Sequence, residues 1–321
     1  MSRSTGAVAG PAATVTVRVP AKVNVQLGVG GLRTDGFHDL ANVFFAVALG
    51  DEVRAEAGAP GSGIVLTCEG PDAALVPLDA TNLAARAAQL LADRHGLAPD
   101  VRLHIAKDIP VAGGMAGGSA DGAAALVACD ALWGLGTPMA DLLALAAELG
   151  SDVPFALLGG VALGRGRGEL LTPLEVSGSF HWVFATADGG LSTPAVFREC
   201  DRLREEAGTG SSDTDVPTPD PSAVLLAALA DGDPVALAGA LGNDLQAAAL
   251  SLRPALAACL AAGTEAGALG ALVSGSGPTC AFLAKDEQGA QAVAAALIAS
   301  GTCRTARATV GPVPGAAVVD R

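Results

Sequence analysis

The chain has 321 residues with 19 Lys and Arg against 33 Asp and Glu, and its formal net charge of −14 argues against non-specific binding to nucleic acid or to anionic membranes. Half of the residues are hydrophobic and 16% are charged, which excludes a disordered chain, and the length suits two modest domains or one large domain. Glycine is abundant at 42 residues, whereas aromatic residues make up 3% and tyrosine is absent, so we expect many turns and close backbone approaches.

The start of the chain and its cysteines bear on location. Residues 1–20 lack the basic start, apolar stretch and cleavage site of a signal peptide, and runs of about 18 apolar residues are interrupted by Gly, Pro or charge. The six cysteines are scattered singly, which argues against a zinc site and a disulfide framework. These features predict a soluble, cytoplasmic protein.

The first half of the chain mixes strand and helix patterns. Thr14–Val19 alternates polar and apolar residues, and after Pro20 a second alternating stretch places Lys22 and Asn24 on one face. A glycine-rich loop over 28–38 follows. The other predicted elements here are strands at 43–49, 51–56, 64–68, 101–106 and near 159–163, and helices at 82–95 (with Thr81 as N-cap), 120–132, 139–149 and from 151.

The composition changes near Gly164–Gly168, where we place the boundary between an N-terminal domain, residues 1–165, and a C-terminal domain, residues 166–321. Residues 205–222 combine acidic residues with Pro, Ser and Gly, which predicts a mobile surface loop. The other predicted elements here are strands at 182–187, 271–274, 279–283 and 305–310, and helices at 193–204, 222–230, 234–241, 245–250, 253–262 and 287–299. Intermixed strands, helices and hairpins predict an α+β fold with mixed sheets.

The glycine-rich stretch from Pro110 to Ser119 lies between a predicted strand and a predicted helix. Backbone N–H groups in such a loop, together with the partial positive charge of a helix N-terminus, favour binding of phosphate oxygens. The lysine of an ordinary P-loop is missing before Ser119, which disfavours a Walker A site. Ser119 could cap the helix, or its hydroxyl could contact a phosphate or Mg²⁺; a plain flexible turn is the alternative for the whole loop.

A second glycine cluster, Ser274–Pro278, follows a predicted strand. A G-x-G sequence alone is weak because tight turns between strands use it constantly. If this loop meets the first glycine loop, the two together predict a functional site.

Lys22 and Asp152 are the candidate catalytic pair. A surface lysine and a helix-capping aspartate are the structural alternatives. A phosphate-binding loop without its own lysine needs a cation from elsewhere, and an acceptor hydroxyl needs a carboxylate to take its proton. His38, on a turn, is a candidate donor to a substrate phosphate or hydroxyl.

These features, in this order, resemble the GHMP kinase superfamily, whose three motifs are similar to P-A-K-V-N at 20–24, the glycine loop at 110–119 and S-G-S-G-P at 274–278. R-T-D-G-F-H at 33–38 and G-S-D-V-P-F at 150–155 resemble the 4-diphosphocytidyl-2-C-methyl-D-erythritol kinase family within it. The similarity extends from residue 15 to residue 312, apart from the loop at 205–222.

The resemblance implies a two-domain GHMP kinase fold with an active-site cleft between the domains. It also implies an enzyme of the non-mevalonate isoprenoid pathway that uses ATP and Mg²⁺ to phosphorylate the 2-hydroxyl of 4-diphosphocytidyl-2-C-methyl-D-erythritol. Asp152 resembles the base that orients or deprotonates this hydroxyl, and Lys22 the lysine that holds that aspartate and stabilises the γ-phosphoryl charge. Ser119 is left as the loop's serine for the metal or phosphate, because Ala120 stands where many members have a second serine.

The resemblance further implies ligand contacts, with Asn82 and Lys107 near the adenine, His38 at the cytosine and Thr193 near the substrate diphosphate. The implied ATP contacts are Asn82, Lys107, Pro110, Ala112, Gly113, Gly114, Met115, Ala116, Gly117, Gly118 and Ser119. The implied substrate contacts are Asn24, Phe37, His38, Asp152, Thr193, Gly275 and Ser276. Phe37 stands where the family usually has tyrosine, so stacking on cytosine should survive while any phenol hydrogen bond is lost.

Three other functions compete with this prediction. A superfamily kinase acting on homoserine, mevalonate or a sugar is disfavoured by the strings at 33–38 and 150–155. A catalytically inactive ligand sensor is disfavoured by the presence of both Lys22 and Asp152. Nucleic-acid binding conflicts with the acidic charge, and no feature of the sequence sets the oligomeric state.

Overall fold

A computed structural model describes residues 14–320, which form two β-sheets with helices packed around them. The strands are β1 Thr14–Leu32, β2 His38–Ala57, β3 Ile64–Glu69, β4 Val101–Ala106, β5 Val161–Arg165, β6 Leu170–Pro173, β7 Phe180–Thr186, β8 Gly242–Asn243, β9 Gly270–Val273, β10 Cys280–Ala284, β11 Thr305–Gly311 and β12 Ala317–Asp320. The helices are α1 Leu83–His95, α2 Gly117–Trp133, α3 Met139–Leu149, α4 Val153–Leu158, α5 Thr193–Glu206, α6 Ala223–Asp231, α7 Pro234–Ala240, α8 Gln246–Leu252, α9 Ala255–Glu265 and α10 Glu287–Ser300.

A long antiparallel hairpin of β1 and β2 forms the centre of the first sheet. The predicted strand at 14–19 and the alternating stretch after Pro20 form one continuous strand, β1. The register shifts at Pro20, where a bulge accommodates a residue without an N–H. The loop predicted at 28–38 is wrong over its first part, because β1 continues to Leu32. Residues 33–37 form the turn that connects β1 to β2. The predicted strands 43–49 and 51–56 likewise merge into β2.

The two sheets share their main hydrophobic core, and a second large core cluster covers the other face of the second sheet. The first sheet runs in the order β12-β1-β2-β4-β3, with β5 also paired to β2, and the second in the order β11-β7-β10-β9. The first cluster joins alanine-rich faces of α1 and α2 to the valines of β1 and to Trp182 of β7, whereas the second is built around Phe282 and the inner faces of α8 to α10. Among the strands of residues 14–320, β3–β4 and β1–β8 pair in parallel and the other pairs are antiparallel, so the mixed-sheet prediction is confirmed.

The first sheet crosses the predicted domain boundary at residues 165 and 166. β5 and β6 form an antiparallel hairpin of this sheet, with Gly166 and Gly168 in its turn, and β12 near the C-terminus pairs with β1. The change of composition at 164–168 therefore marks a glycine turn rather than a linker. β6, β8 and β12, which are two to four residues long, were not predicted.

The predicted mobile surface loop at 205–222 follows α5 and lies along β1, to which it is hydrogen-bonded. The backbone N–H of Leu32 donates to the carbonyl of Ser211 at 2.7 Å, and the side chain of Gln26 accepts from the N–H of Ser222 at 2.8 Å and donates to the carbonyl of Asp220 at 3.1 Å. The loop thereby satisfies polar groups along an edge that would otherwise remain unpaired.

The location prediction rests partly on residues 1–13, which lie outside the described part of the chain. Within residues 14–320, the helices all fall short of the length and apolar character needed to span a membrane.

Candidate active site

A cleft of about 1070 Å³ lies where the glycine loops, β1 and α5 converge. It brings together most of the predicted site residues: Lys22, Asn24, Phe37, His38, Ala112, Gly113, Gly114, Ala116, Gly117, Gly118, Ser119, Asp152, Thr193, Gly275 and Ser276. These come from segments separated by more than 250 residues in sequence. The cleft is therefore the candidate active site.

The two glycine loops contact each other directly, which meets the condition under which the sequence predicts a functional site there. The N–H of Thr279 donates to the carbonyl of Gly113 at 3.3 Å, and the Ser274 hydroxyl donates to the carbonyl of Gly114, also at 3.3 Å. Gly114 has a φ of +78°, and a Cβ added there would lie 2.3 Å from the backbone oxygen of Ser274. The position therefore requires glycine both for its conformation and for the close approach.

We expect Gly114→Ala to lower the unfolding free energy by about 2–4 kcal/mol, since it adds a backbone clash to the strain of a positive φ, and to lower kcat/KM at least ~10-fold by displacing the loop. Gly136→Ala is the matched control, because Gly136 has a φ of +64° and no atom within 4 Å of an added Cβ. Urea unfolding and steady-state kinetics of both variants test this. Equal losses in the two would show that the contact between the loops is unimportant.

The N-terminus of α2 opens into the cleft. Its N-cap residue is Ala116, at a φ of +58° and without a side-chain capping bond, and the first turn contains Gly117, Gly118 and Ser119. The alternative of Ser119 as N-cap is wrong, because the helix begins two residues earlier; Ser119 is half-buried in the first turn and lines the cleft. N–H groups not satisfied by a cap, at the positive end of a helix dipole, form a site for phosphate oxygens.

Lys22 is buried, so the surface-lysine alternative is wrong. Its Nζ donates to Oδ1 of Asn24 at 2.6 Å and to the carbonyl of Gly114 at 3.1 Å, and lies 3.8 Å from Oδ2 of Asp152. Asn24 is itself held by Asn42, whose Oδ1 accepts its amide at 2.7 Å. The ammonium group is thus fixed between the first glycine loop and the candidate base.

Burial lowers the pKa of Lys22, and the charge of Asp152 offsets this only in part. We therefore expect kcat/KM to fall at alkaline pH with an apparent pKa below 10.5, the ordinary lysine value, because the deprotonated amine no longer attracts phosphate. A pH–rate profile of the wild type and of Lys22→Arg tests this, since a guanidinium stays charged and should remove the alkaline limb. An apparent pKa at or above 10.5 would contradict the assignment.

Asp152 stands at the N-cap position of α4 but makes no capping hydrogen bond, so the helix-cap alternative is wrong. The side chain is 30% exposed and lines the cleft beside Lys22. Its carboxylate is consequently available to a ligand, as a general base must be.

The opposite part of the cleft carries aromatic and charged side chains around His38. Phe37 is 48% exposed, with the guanidinium of Arg167 5.1 Å from its ring centroid, and the rings of His38 and Phe197 lie 5.1 Å apart. Asp201 accepts from Nε2 of His38 at 3.0 Å. Sequence reasoning missed Arg167, Phe197 and Asp201; the scarcity of aromatics was a signal for Phe197, but nothing local pointed to Arg167 or Asp201.

Thr193 and Ser276, both predicted as substrate contacts, share a hydrogen bond between their hydroxyls at 2.9 Å. Thr193 begins α5 and Ser276 belongs to the second glycine loop, so the bond ties that loop to the helix that carries Phe197. Both residues line the cleft.

Four predicted nucleotide contacts do not line the cleft: Asn82, Lys107, Pro110 and Met115. Lys107 is 4% exposed, and its Nζ donates to Asp51 at 2.5 Å and to Asp121 at 2.8 Å beneath the glycine loop, which does not support a direct contact with nucleotide. Asn82, rather than the predicted Thr81, caps α1, since its Oδ1 accepts from the N–H of Ala84 at 2.8 Å. The side chain of Met115 is fully buried in the core.

Although burial opposes its charge, the carboxylates of Asp121 and Asp51 raise the pKa of Lys107. Lys107→Met would leave these carboxylates buried without a cation, so we expect the unfolding free energy to fall by about 3–5 kcal/mol. The control is Lys285→Met, at an exposed position. Guanidinium unfolding of both variants checks the prediction, which a loss of less than ~1 kcal/mol at position 107 would contradict.

Comparison with known proteins decides the family. The model of the GHMP kinases N terminal domain matches residues 82–160, and that of the GHMP kinases C terminal domain matches residues 225–302. A 4-diphosphocytidyl-2-C-methyl-D-erythritol kinase of Streptomyces avermitilis is 68% identical over 306 residues, covering 95% of this chain and all of the relative. The chain belongs to the 4-diphosphocytidyl-2-C-methyl-D-erythritol kinase family. The homologous kinase of Thermobifida fusca is 60% identical, over 95% of this chain and 98% of the relative.

Solved structures agree with this family. A crystal structure of 4-(cytidine 5'-diphospho)-2C-methyl-D-erythritol kinase matches with a TM-score of 0.73 and 34% identity, covering 92% of this chain and 99% of the other. Homoserine kinase from Cytophaga hutchinsonii matches with a TM-score of 0.72 at 22% identity, covering 96% and 98%, which shows the shared fold alone. The predicted GHMP kinase fold and the predicted family are both confirmed.

Proposed function

We propose that this kinase transfers the γ-phosphoryl group of ATP to the 2-hydroxyl of 4-diphosphocytidyl-2-C-methyl-D-erythritol, in the non-mevalonate isoprenoid pathway. The observation that carries the proposal is the pair of Lys22 and Asp152, 3.8 Å apart, at the N-terminal end of α2 in the cleft. It combines a fixed cation, an accessible base and a backbone cradle for phosphate. The names of relatives sharing up to 68% identity support the choice of acceptor.

In the proposed reaction, the substrate oxygen attacks the γ-phosphorus, its proton passes to the carboxylate of Asp152, and the bond from the γ-phosphorus to the β,γ-bridging oxygen breaks. ADP leaves with that electron pair, so the charge balance is kept. The transition state of phosphoryl transfer is loose, so positioning and charge stabilisation matter more than strong activation of the nucleophile. Lys22 and the backbone N–H groups around Gly117 would supply that stabilisation.

The remaining cleft residues suit the acceptor. Phe37 offers an exposed ring face to cytosine, while the hydrogen-bonded hydroxyls of Thr193 and Ser276 leave one O–H free to donate to the diphosphate. His38 is proposed to contact the cytosine ring. Asn24 is proposed to hold Lys22 and to contact the substrate near the transferred phosphoryl group. This arrangement places the cytosine ring and the reacting hydroxyl of the substrate in different parts of one cleft.

The oxygen donors in the cleft fit Mg²⁺ held mainly by nucleotide phosphates. Residues 14–320 contain no group of three or more His, Cys, Asp or Glu able to hold a metal, while Ser119 offers a hydroxyl and Asp152 a carboxylate. Mg²⁺ typically keeps several waters and takes one or two protein oxygens together with phosphate oxygens. When bound, it would neutralise charge on the β- and γ-phosphates. Ser119 is the proposed protein ligand.

A coupled assay of ADP release tests the function. We expect turnover with 4-diphosphocytidyl-2-C-methyl-D-erythritol and none with homoserine or mevalonate at the same concentrations. Phosphorylation of either of these but not of the cytidyl substrate would overturn the proposed acceptor. ATP binding without any turnover would favour a ligand sensor instead.

We further propose a cytoplasmic enzyme without nucleic-acid or membrane partners. The net charge of −14 and the polar, anionic nature of both proposed substrates support this.

A further inference from the structure

His38 and Asp201 form a largely buried pair in the aromatic part of the cleft. Nε2 of His38 lies 3.0 Å from Oδ1 and 3.2 Å from Oδ2 of Asp201, and the two side chains are 6% and 15% exposed. His38 begins β2 and Asp201 lies on α5, so the pair joins two distant parts of the chain. Phe197, one helical turn before Asp201, covers one side of the imidazole at a centroid distance of 5.1 Å.

The partner of Nε2 determines what His38 can offer to a ligand. An ionised carboxylate only accepts hydrogen bonds, so Nε2 carries the proton and, in the neutral ring, Nδ1 bears a lone pair. No residue within 14–320 donates to or accepts from Nδ1, and it is not among the buried nitrogen and oxygen atoms left without a partner. Nδ1 is therefore the ring atom that reaches the cleft, and it is an acceptor.

We propose that Asp201 is a positioning residue that sets base specificity by holding His38 in the tautomer whose Nδ1 accepts from an exocyclic amino group. The choice of cytosine as the recognised nucleobase rests on the proposed function. Cytosine has an amino donor at C4, where uracil has an oxo acceptor that would face the lone pair of Nδ1. A site that accepts a hydrogen bond from a donor group of its ligand strongly rejects analogues without that donor. An apolar pocket discriminates far less strongly between ligands that differ in shape alone.

A merely structural role predicts something different. If Asp201 only connected α5 to β2, its replacement would lower the binding affinity of all ligands of the cleft equally and would also lower the unfolding free energy. Specificity for the base, and the position of the imidazole proton, separate the two roles.

The tautomer can be observed directly by ¹⁵N NMR of the histidine rings in the full-length protein at pH 8. The chain has four histidines, and loss of one set of signals in His38→Gln assigns those of position 38. We expect a protonated Nε2 and an unprotonated Nδ1 in the wild type, and a mixture in Asp201→Asn, whose amide can either accept or donate. A wild-type ring protonated at Nδ1 overturns the proposal.

Binding of CDP and UDP, measured by calorimetry, tests the consequence. We expect the wild type to bind CDP at least ~10²-fold more tightly than UDP, and Asp201→Asn to reduce that ratio at least ~10-fold, chiefly through weaker CDP binding. Glu206→Gln, on the exposed end of the same helix, is the matched control and should keep the wild-type ratio. Asp201→Glu keeps a carboxylate and should restore part of the preference.

The outcomes distinguish this inference from the proposed function. An unchanged ratio in a folded Asp201→Asn protein, with the cytidyl substrate still turned over, overturns the role of Asp201 alone. A wild type that binds neither nucleotide and phosphorylates no cytidyl substrate overturns both.

Discussion

Replacing Lys22 with Ala should lower kcat at least ~10²-fold, equivalent to at least ~2.7 kcal/mol of barrier. Nζ is held by Asn24, by the carbonyl of Gly114 and by Asp152 at a single position beside the proposed phosphate site. A fixed cation in a poorly hydrated site stabilises charge far better than one in water, and water cannot replace it there without reorganisation. Single-turnover and steady-state kinetics measure the loss.

The control for this variant must separate catalysis from folding. Lys22→Ala leaves the buried Oδ1 of Asn24 without its donor and the carbonyl of Gly114 with the Ser274 hydroxyl alone, so some loss of stability is expected. Lys22→Met fills the space without the charge, and Lys285→Ala removes an exposed lysine. A folded position-22 variant with near-normal kcat would show that the lysine is not catalytic.

The parts of the site that were predictable are those whose chemistry is local in sequence. Alternation placed Lys22 and Asn24 on one face of a strand, and their side chains do meet in the structure, at 2.6 Å. A glycine run between a strand and a helix is recognisable because small residues and a helix start already specify exposed N–H groups. The fold class follows in the same way from the mixture of helix and strand patterns.

The parts that could not be predicted depend on residues far apart in sequence. Lys107 adjoins the glycine loop in sequence, yet its partners Asp51 and Asp121 turn it into a buried structural cation. His38 was predicted, but its hydrogen-bond partner Asp201 lies 163 residues away. The same limit applies to the domain boundary, where the turn of a hairpin has the composition of a linker.

The charge of the chain also gains a structural explanation. A protein of net charge −14 binds anionic ligands only if cations and backbone dipoles are concentrated in one place. In the cleft these are Lys22, Arg167, Arg198 and the N-terminus of α2. Because Lys107 is neutralised by two carboxylates, Lys22 is the lysine available to phosphate, and the effect of removing it should be correspondingly large.

Asp152→Asn should also lower kcat at least ~10²-fold, because the amide keeps the shape of the side chain but no longer takes a proton from the acceptor hydroxyl. The substitution has a second expected effect. Since Asp152 raises the pKa of Lys22 against the lowering by burial, its loss should shift the alkaline limb of kcat/KM to lower pH. The KM for ATP should change less than kcat, because the phosphate cradle is backbone.

A pH–rate profile of residual activity in Asp152→Asn, with Asp141→Asn on the exposed side of α3 as control, separates these effects. A lower kcat with an unmoved alkaline limb would assign Asp152 to proton transfer without a role in holding the charge of Lys22. An unchanged kcat would remove it from the reaction, and the proton would then pass directly to water or to phosphate. Only the combined loss and shift agrees with a carboxylate that serves both the hydroxyl and the lysine.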